Sequence, residues 1–397
     1  MKRSLASRSM LVGLFGFILA CACSGCWNYH ELDELSIVSG VGIDKGQRPG
    51  TVQLTMQIIK PGEVKSGGGG GSPGGGAGGS QGAPVVVKSS SGKTVFEAIR
   101  NFLADTNRKL YFPHNQVIII GKEQARQGVR AVLDLFIRDQ EPRPTVWILV
   151  ADGNASDVLK VPGQLEKISA VEISDLEKAQ SALSENVTVN LQDFISRLMS
   201  KTTAPIAAII KTYDRNQPKR NRLTGTAVFK KDRLVGKLDG RQTRGLLWIL
   251  GKVKSGIISI RVPDGEAGME IIRSSSQIRP VVKNGYVKMQ VFVREDGNLG
   301  CQMSPVDLTK PEMLKSLARR KATVIRNEIR AALTEAKALK ADIFGFGEAI
   351  HRSNPKEWAK IKGKWDQLFP ELQVEIDVRS RVRLVGLITK PAVPPQE

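Results

Sequence analysis

Residues 116–151 read QVIIIGKEQARQGVRAVLDLFIRDQEPRPTVWILVA, and this stretch decides the fold class. Gln116 to Ile120 is a short β-branched run, the composition of a strand buried on both faces. From about Glu123 to Ile137 the period changes, and Ala125, Val129, Val132, Leu133 and Phe136 share one helical face. Arg138-Asp139 ends that helix, and Thr145 to Ala151 (TVWILVA) is a second buried strand. Strand, helix and strand in succession imply a mixed sheet with helices packed against it.

Upstream, Leu35 to Ile43 (LSIVSGVGI) is β-rich, and Val52, Leu54, Met56 and Ile58 alternate at period two. The turn composition of residues 45–50 makes these an antiparallel pair. Gly40 and Gly42 read as strand glycines at a bulge or close contact. Gly62 to Gly82 contains twelve glycines, too little side chain to offset the entropy of ordering, so residues 61–84 are expected to be a flexible, disordered loop. A strand at Pro84 to Lys88 follows, then a helix carrying Val95, Ile99, Phe102 and Leu103 on one face.

Downstream, Asn154 is placed to cap a short helix to Val161. Residues 161–222 are less regular, with a helix from Asn190 (Leu191, Phe194, Ile195, Leu198) and a strand at Ile206 to Tyr213. Asp214 to Arg222 (DRNQPKRNR) is the best domain boundary by composition. Beyond it, Gly225 to Phe229 and Leu234 to Gly236 form a hairpin, and Asp239 caps a helix through Leu250. Strands are expected at Gly256 to Val262, Met269 to Ile272 and Tyr286 to Arg294. Thr309-Lys310-Pro311-Glu312 starts the longest helix, ending near Leu339. Its apolar stripe is Leu314, Leu317, Ile325, Ile329, Leu333 and Ala336, with Lys315, Arg319, Arg320, Arg326, Arg330 and Lys337 largely off it. A core-packing helix with a wet basic face accounts for that pattern. Glu375 to Leu384 alternates, with Ile376, Val378, Val382 and Leu384 on one side and Asp377, Arg379, Arg381 and Arg383 on the other.

The first residues have a different character. Lys2, Arg3 and Arg8 precede the uncharged apolar run Met10 to Ala22, which is shorter than the ~20 residues a spanning helix needs. A basic start, a short apolar core and a small-residue exit mark an export signal. Ser24-Gly25-Cys26 is the arrangement that lipoprotein processing uses, so Cys26 is the expected lipidated N-terminus and residues 1–25 the signal peptide. Cys21, preceded by Ile18-Leu19-Ala20, is the competing site. Cleavage before Cys26 lowers the formal charge from +20 to +17 by removing three cations.

Export excludes nucleic acid, leaving anionic lipid, wall polymer or an acidic protein face as partners for so basic a chain. Of four cysteines, only Cys301 would remain unmodified, so no disulfide framework is available. His30, His114 and His351 lie far apart with no second ligand at metal spacing. No nucleophile elbow, phosphate loop or metal-binding helix motif occurs. The chain is therefore expected to be no enzyme and to need no cofactor.

At Cys26-Trp27 and Ile37 to Asp44 the chain resembles the Ger(x)C family of spore germination lipoproteins. The likeness continues at Phe112-Pro113-His114, at Leu133-Asp134 with Ile137-Arg138-Asp139, at Gly225 to Phe229, at Leu234-Val235-Gly236, and at Asp342-Ile343-Phe344-Gly345-Phe346-Gly347. The resemblance implies an α+β protein of several domains, with mixed or antiparallel sheets, packed helices and one long helix in the C-terminal domain. It also implies the C subunit of a nutrient germinant receptor, anchored on the outer face of the inner spore membrane beside membrane-embedded A and B subunits. On this reading residues 26–200 are an N-terminal α/β region, 201–222 a boundary and 223–392 a C-terminal α+β domain. His114, Arg138, Asp139, Asp342, Phe344, Gly345 and Gly347 are family-motif positions with structural roles, and no catalytic residue carries over. Arg379, Arg381 and Arg383 are candidate contacts for partners or membrane, against the plainer reading that they keep the domain soluble. An extracytoplasmic solute-binding lipoprotein is the alternative, although it should show a repeated two-lobed pattern. A wall-lytic enzyme should show His or carboxylate clusters.

Overall fold

A computed structural model of the chain describes Gly13 and residues 34–65, 83–104, 106, 108–214, 218–283 and 286–384. Apart from Gly13, the signal segment with Cys21, and Cys26 after it, lie outside the described residues, as do residues 66–82 of the glycine tract.

Two sheets organise the chain. The larger is built around β1 (Leu35–Lys45), which pairs antiparallel with β2 (Val52–Ile59), as β2 does with β3 (Val85–Gly92). On its other side β1 runs parallel to β5 (Val117–Ile120), β5 to β6 (Trp147–Ala151) and β6 to β7 (Ile206–Tyr213). β8 (Arg220–Lys230) and β9 (Arg233–Leu238) finish that edge antiparallel, and β4 (Lys109–Tyr111) joins the start of β1 in parallel. Strands β5 and β6 are buried on both faces, which is why their sequences are continuous runs of Ile, Leu and Val.

The connections are helical: α1 (Pro61–Lys65), α2 (Val95–Ala104), α3 (Lys122–Gln127), α4 (Arg130–Arg138), α5 (Ala155–Leu159), α6 (Ser169–Ala179) and α7 (Leu191–Met199). The single helix expected from Glu123 to Ile137 is two. Gly128 takes φ +140°, its N–H donating to the Gln124 carbonyl, and the N–H of Val129 goes to Asp232 in the β8–β9 turn. A contact with a distant hairpin thus breaks a helix whose periodicity runs on unbroken.

Asn154 precedes α5 as expected, but its side chain does not cap it. The N–H groups of Ala155 and Ser156 donate instead to the Asp44 carboxylate at the end of β1, at 2.7 and 2.9 Å. Burial raises the pKa of Asp44 while the two amides oppose the shift. The cap therefore comes from a residue more than a hundred positions away. Gly40 and Gly42 are close-contact glycines: a Cβ on either would press on Leu159 of α5.

Residues 201–222 hold β7 and the start of β8, neighbours in the one large sheet, and Arg220 to Arg222 of the polar run DRNQPKRNR are already paired with β7. Next come α8 (Gly240–Leu250), which opens with a complete capping box between Asp239 and Gln242, and the second sheet. Its order is β10 (Ile257–Val262), β11 (Gly265–Lys283), β12 (Tyr286–Gln302), β13 (Gln373–Val382). The β11–β12 hairpin is much longer than the sequence pattern suggests. One face of it stays open, so the polar Arg273-Ser274-Ser275-Ser276 run belongs to a strand.

The long helix α9 (Pro311–Ala338) starts on its proline as expected and packs between α8 and β13. The α10 (Phe346–Ser353), α11 (Pro355–Ile361) and α12 (Trp365–Glu371) helices lead back to β13, which lies parallel to β12. The stripe of α9 carries two charges among its apolar residues, Lys321 and Glu328, both buried. Glu328 accepts hydrogen bonds from Arg244 Nε and Nη2 and from Trp248 Nε1, the last at 2.8 Å.

Glu177 on α6 is fully buried, and neither carboxyl oxygen has a hydrogen-bond partner among the described residues. Burial pushes its pKa up to about 8. The folded chain therefore holds a proton that the unfolded chain, titrating near 4.5, gives up, and stability falls as pH rises from about 4.5 to about 8. Glu177→Gln is expected to flatten this dependence and to stabilise the chain at pH 8 by up to a few kcal/mol. Urea unfolding between pH 5 and 8 checks it; an unchanged slope would mean that Glu177 is solvated.

Candidate functional site

Strand alternation divides the second sheet into two chemically different faces. Met289, Val291, Val293, Glu295 and Leu299 of β12 and Val378 of β13 are buried on one face, where α9 packs on β13 and its Lys321 reaches Glu295. The opposite face is open to solvent and carries Arg273 and Arg279 from β11, Arg294 from β12, and Arg379 and Arg381 from β13, with Arg383 just beyond. Arg294 stands opposite Arg379 in the parallel ladder, and Asp296 opposite both Arg381 and Arg273. The carboxylates among them are Asp296, Asp377 and Glu375, so cations prevail.

The arginines are held in place across strands. Asp296 accepts from Arg273 Nη2 at 2.7 Å and from Arg383 Nη2 at 2.8 Å, and these two bonds hold its carboxyl below the usual range. Arg379 pairs with Asp377 at 3.4 Å. Arg279 lies over the Phe292 ring, 5.2 Å from its centre, and donates to Gln277. Two hollows of about 320 and 550 Å³ share this face, both bordered by Arg294 and Arg379. Arg381 borders the larger one.

Beneath the face is a buried ion pair. Lys321 Nζ lies 2.9 Å from Glu295 Oε1 and also donates to the Arg381 carbonyl, while Ser380 Oγ donates to Glu295 Oε2 at 2.7 Å. Both side chains are wholly buried, and burial works against the charged form of each. Gly297 makes room, since a Cβ there would sit 2.6 Å from the Glu295 carboxylate and 2.7 Å from Lys321 Nζ. The pair fixes the strand that carries Arg379, Arg381 and Arg383. The spacing of Leu314, Leu317, Lys321, Ile325, Glu328 and Ala332 was the signal available in sequence, because it puts both charges on the apolar stripe.

The structure does not bring the other motif positions to this face. His114 is exposed after β4, its ring 5.8 Å from that of Tyr111. Arg138 bonds to Asp134 at 2.7 Å, one turn back on α4, and Asp139 follows the end of that helix. Asp342 is buried where the chain leaving α9 meets the end of α7 and the loop that leads into β7. Its carboxylate accepts from the N–H groups of Gly345, Phe346 and Gly347 at 2.8 to 3.1 Å. Burial pushes its pKa up to about 6 against those amides. Gly345 takes φ +77°, and Phe344 and Phe346 stack with centres 5.1 Å apart. The Asp342 carbonyl accepts from Ala204 N–H, and Arg197 donates to the Ile343 carbonyl.

Among the described residues no group of three His, Cys, Asp or Glu is arranged to hold a metal ion. Among them, too, no helix is long and apolar enough to cross a membrane.

Fold and face together define a two-sheet α+β protein that presents an ordered arginine surface. Residues 28–212 match the family described as spore germination protein N-terminal domain, and residues 224–386 the one described as spore germination B3/GerAC like, C-terminal. The chain belongs to this GerAC-like family of spore germination proteins. Spore germination protein KC of Bacillus subtilis (strain 168) is 28% identical over 97% of this chain and 98% of its own length. Spore germination proteins B3 and A3 of the same organism are 25% and 24% identical, over 94% and 95% of this chain and 97% of each relative. The crystal structure of the GerBC protein has the same fold, with a TM-score of 0.57 and 21% identity over 89% of this chain and 99% of that one.

Removing one member of the buried pair strands the other. Lys321→Met is expected to cost about 3–5 kcal/mol by leaving the Glu295 charge unpaired, and Lys321→Met with Glu295→Met to recover most of that. Urea denaturation of the three proteins measures both; a double variant no more stable than the single would show that the pair is not coupled.

Proposed function

We propose that this chain is the lipid-anchored C subunit of a spore nutrient germinant receptor, held on the outer face of the inner spore membrane. It works by binding, with no reaction of its own, and is needed for receptor assembly and for germination in response to small nutrients. The observation that carries this reading is the match of both halves of the chain, in order, to spore germination families. Cys26 bears the lipid. One acyl chain holds a protein marginally, whereas two or more anchor it stably. The partners are the membrane-embedded A and B subunits and the bilayer itself, toward which the mature charge of +17 favours approach. Arg379, Arg381 and Arg383 form the contact, extended by Arg273, Arg279 and Arg294. Guanidinium groups suit this role because each presents a planar fork to a carboxylate or phosphate.

Cys26→Ala is expected to release the protein from spore membranes or leave the precursor uncut, read by fractionation and mass spectrometry. A mature N-terminus at Cys21 would move the anchor. Reversing Arg379, Arg381 and Arg383 to Glu should leave melting nearly unchanged, because exposed positions contribute little to the core. The same variant should slow nutrient germination by roughly an order of magnitude. Normal receptor levels and normal germination in that variant would sink the contact. Normal germination of a deletion strain lacking every paralogue, with every nutrient tried, would sink the receptor reading.

A further inference from the structure

A second place in the molecule has the makings of a binding site. Helix α3 lies across one face of the large sheet and touches β1, β6 and β9. Beneath it is a cavity of about 190 Å³, bordered by Lys122 and Arg126 of α3, Val150 and Ala151 of β6, Ile209 of β7, Ala227 of β8, and Leu234 to Lys237 of β9, with Asp152 at the rim. That is about six water volumes at ~30 Å³ each, the size of a small organic molecule.

Its position follows from topology. β5, β6 and β7 run parallel, and Lys122 and Asp152 sit just past the carboxyl ends of β5 and β6. In open α/β sheets this is the edge where ligands bind. The hollow exists because a small residue occupies its floor. Ala227 stands opposite Ala207 on one side and Lys237 on the other. With Val150 and Ile209 the floor is apolar, while charged groups rise at one end.

Those charges are unequal in number. Asp152 is ion-paired with Lys122 at 2.9 Å. Burial works against its charge, but Lys122, Lys237 and Lys211 around it hold its carboxyl below the usual range. Arg126 is paired with Glu123, and Lys211 lies against the Tyr213 ring. Lys237 has no ion pair among the described residues. An apolar floor, a cation outside any ion pair among the described residues and one carboxylate make the pattern of a small-ligand pocket, mostly apolar with a few convergent polar groups.

We infer that this cavity binds a small molecule with a carboxylate on an apolar body, its carboxylate on Lys237 and its body on Val150, Ile209 and Ala227. An ammonium group on the same ligand, as in an α-amino acid, would meet Asp152. The inference is independent of the receptor reading, because the isolated chain suffices to test it.

The test is calorimetric titration of the full chain in detergent with three compounds of one apolar body: leucine, the acid left by deaminating it, and the amine left by decarboxylating it. Both carboxylates are expected to bind saturably and the amine not to bind. Lys237→Met, on an exposed strand position, should weaken carboxylate binding roughly tenfold or more with melting unchanged. Ala227→Leu, which fills the floor, should abolish binding. Tighter binding of leucine than of its deaminated acid would support the inference and assign Asp152 to the ammonium. No saturable binding of either carboxylate, equal binding of the amine, or unchanged affinity in the Lys237→Met protein would overturn it.

Discussion

The arrangement of the two sheets depends on buried charge along one helix. Glu328 of α9 receives Arg244 and Trp248 from α8, and two turns earlier Lys321 of the same helix receives Glu295 from β12. An apolar stripe alone would tolerate sliding of the helix by a turn with modest loss. Charged groups out of water do not, because a shift leaves each one desolvated without its partner, at several kcal/mol apiece. The two clusters therefore set the register of α9 against both the helix that follows the first sheet and the strand that faces it in the second. Gly245 completes the fit: any Cβ there would run into the Glu328 carbonyl, so the backbones of α8 and α9 approach more closely than side chains would permit.

What the sequence made legible follows from how local each determinant is. Strands buried on both faces, such as β5 and β6, announce themselves by composition. The start of α9 at Pro311 and the box at Asp239 are written within four residues. The misses are long-range. Asp44 caps a helix that follows it by more than a hundred residues, and Asp232 takes the amide that breaks the expected helix at Gly128. Helix α6 escaped notice because Ser169, Ser174 and Glu177 are buried polar residues where a helical stripe should be apolar. At the candidate face, the alternation of Arg379, Arg381 and Arg383 was visible in one strand. Arg273, Arg279 and Arg294 joined it only once the register of β11 and β12 was known. Nothing in sequence forecast that Asp296 would bridge two of the strands.

The two basic regions differ in the kind of cation they use, and the difference has physical content. Arginines dominate the open sheet face, tied to one another through Asp296 and to Phe292 by stacking, which limits the entropy lost when they grip an anion. The cavity under α3 is walled mostly by apolar residues, and two of the three cations at its border are lysines, each a compact point charge on a flexible stem. A broad rigid array of forks matches many anionic groups presented at once. A single ammonium beside an apolar floor matches one carboxylate on one small molecule.

These regions are joined by contact. Leu234 to Lys237 of β9 border the cavity, and the strand also lies so close to the end of α9 that a Cβ on Gly236 would overlap Leu339. Helix α9 then runs to Lys321, which holds the Arg381 carbonyl beneath the arginine face. A cavity ligand thus rests on a strand that braces the helix ordering the outer surface. Continuity of this kind supplies contacts and no preference between states. A ligand would alter the arginine face only by binding one placement of β9 against Leu339 more tightly than another. The buried charges on α9 oppose a gradual drift, since intermediate registers would leave Lys321 and Glu328 without partners.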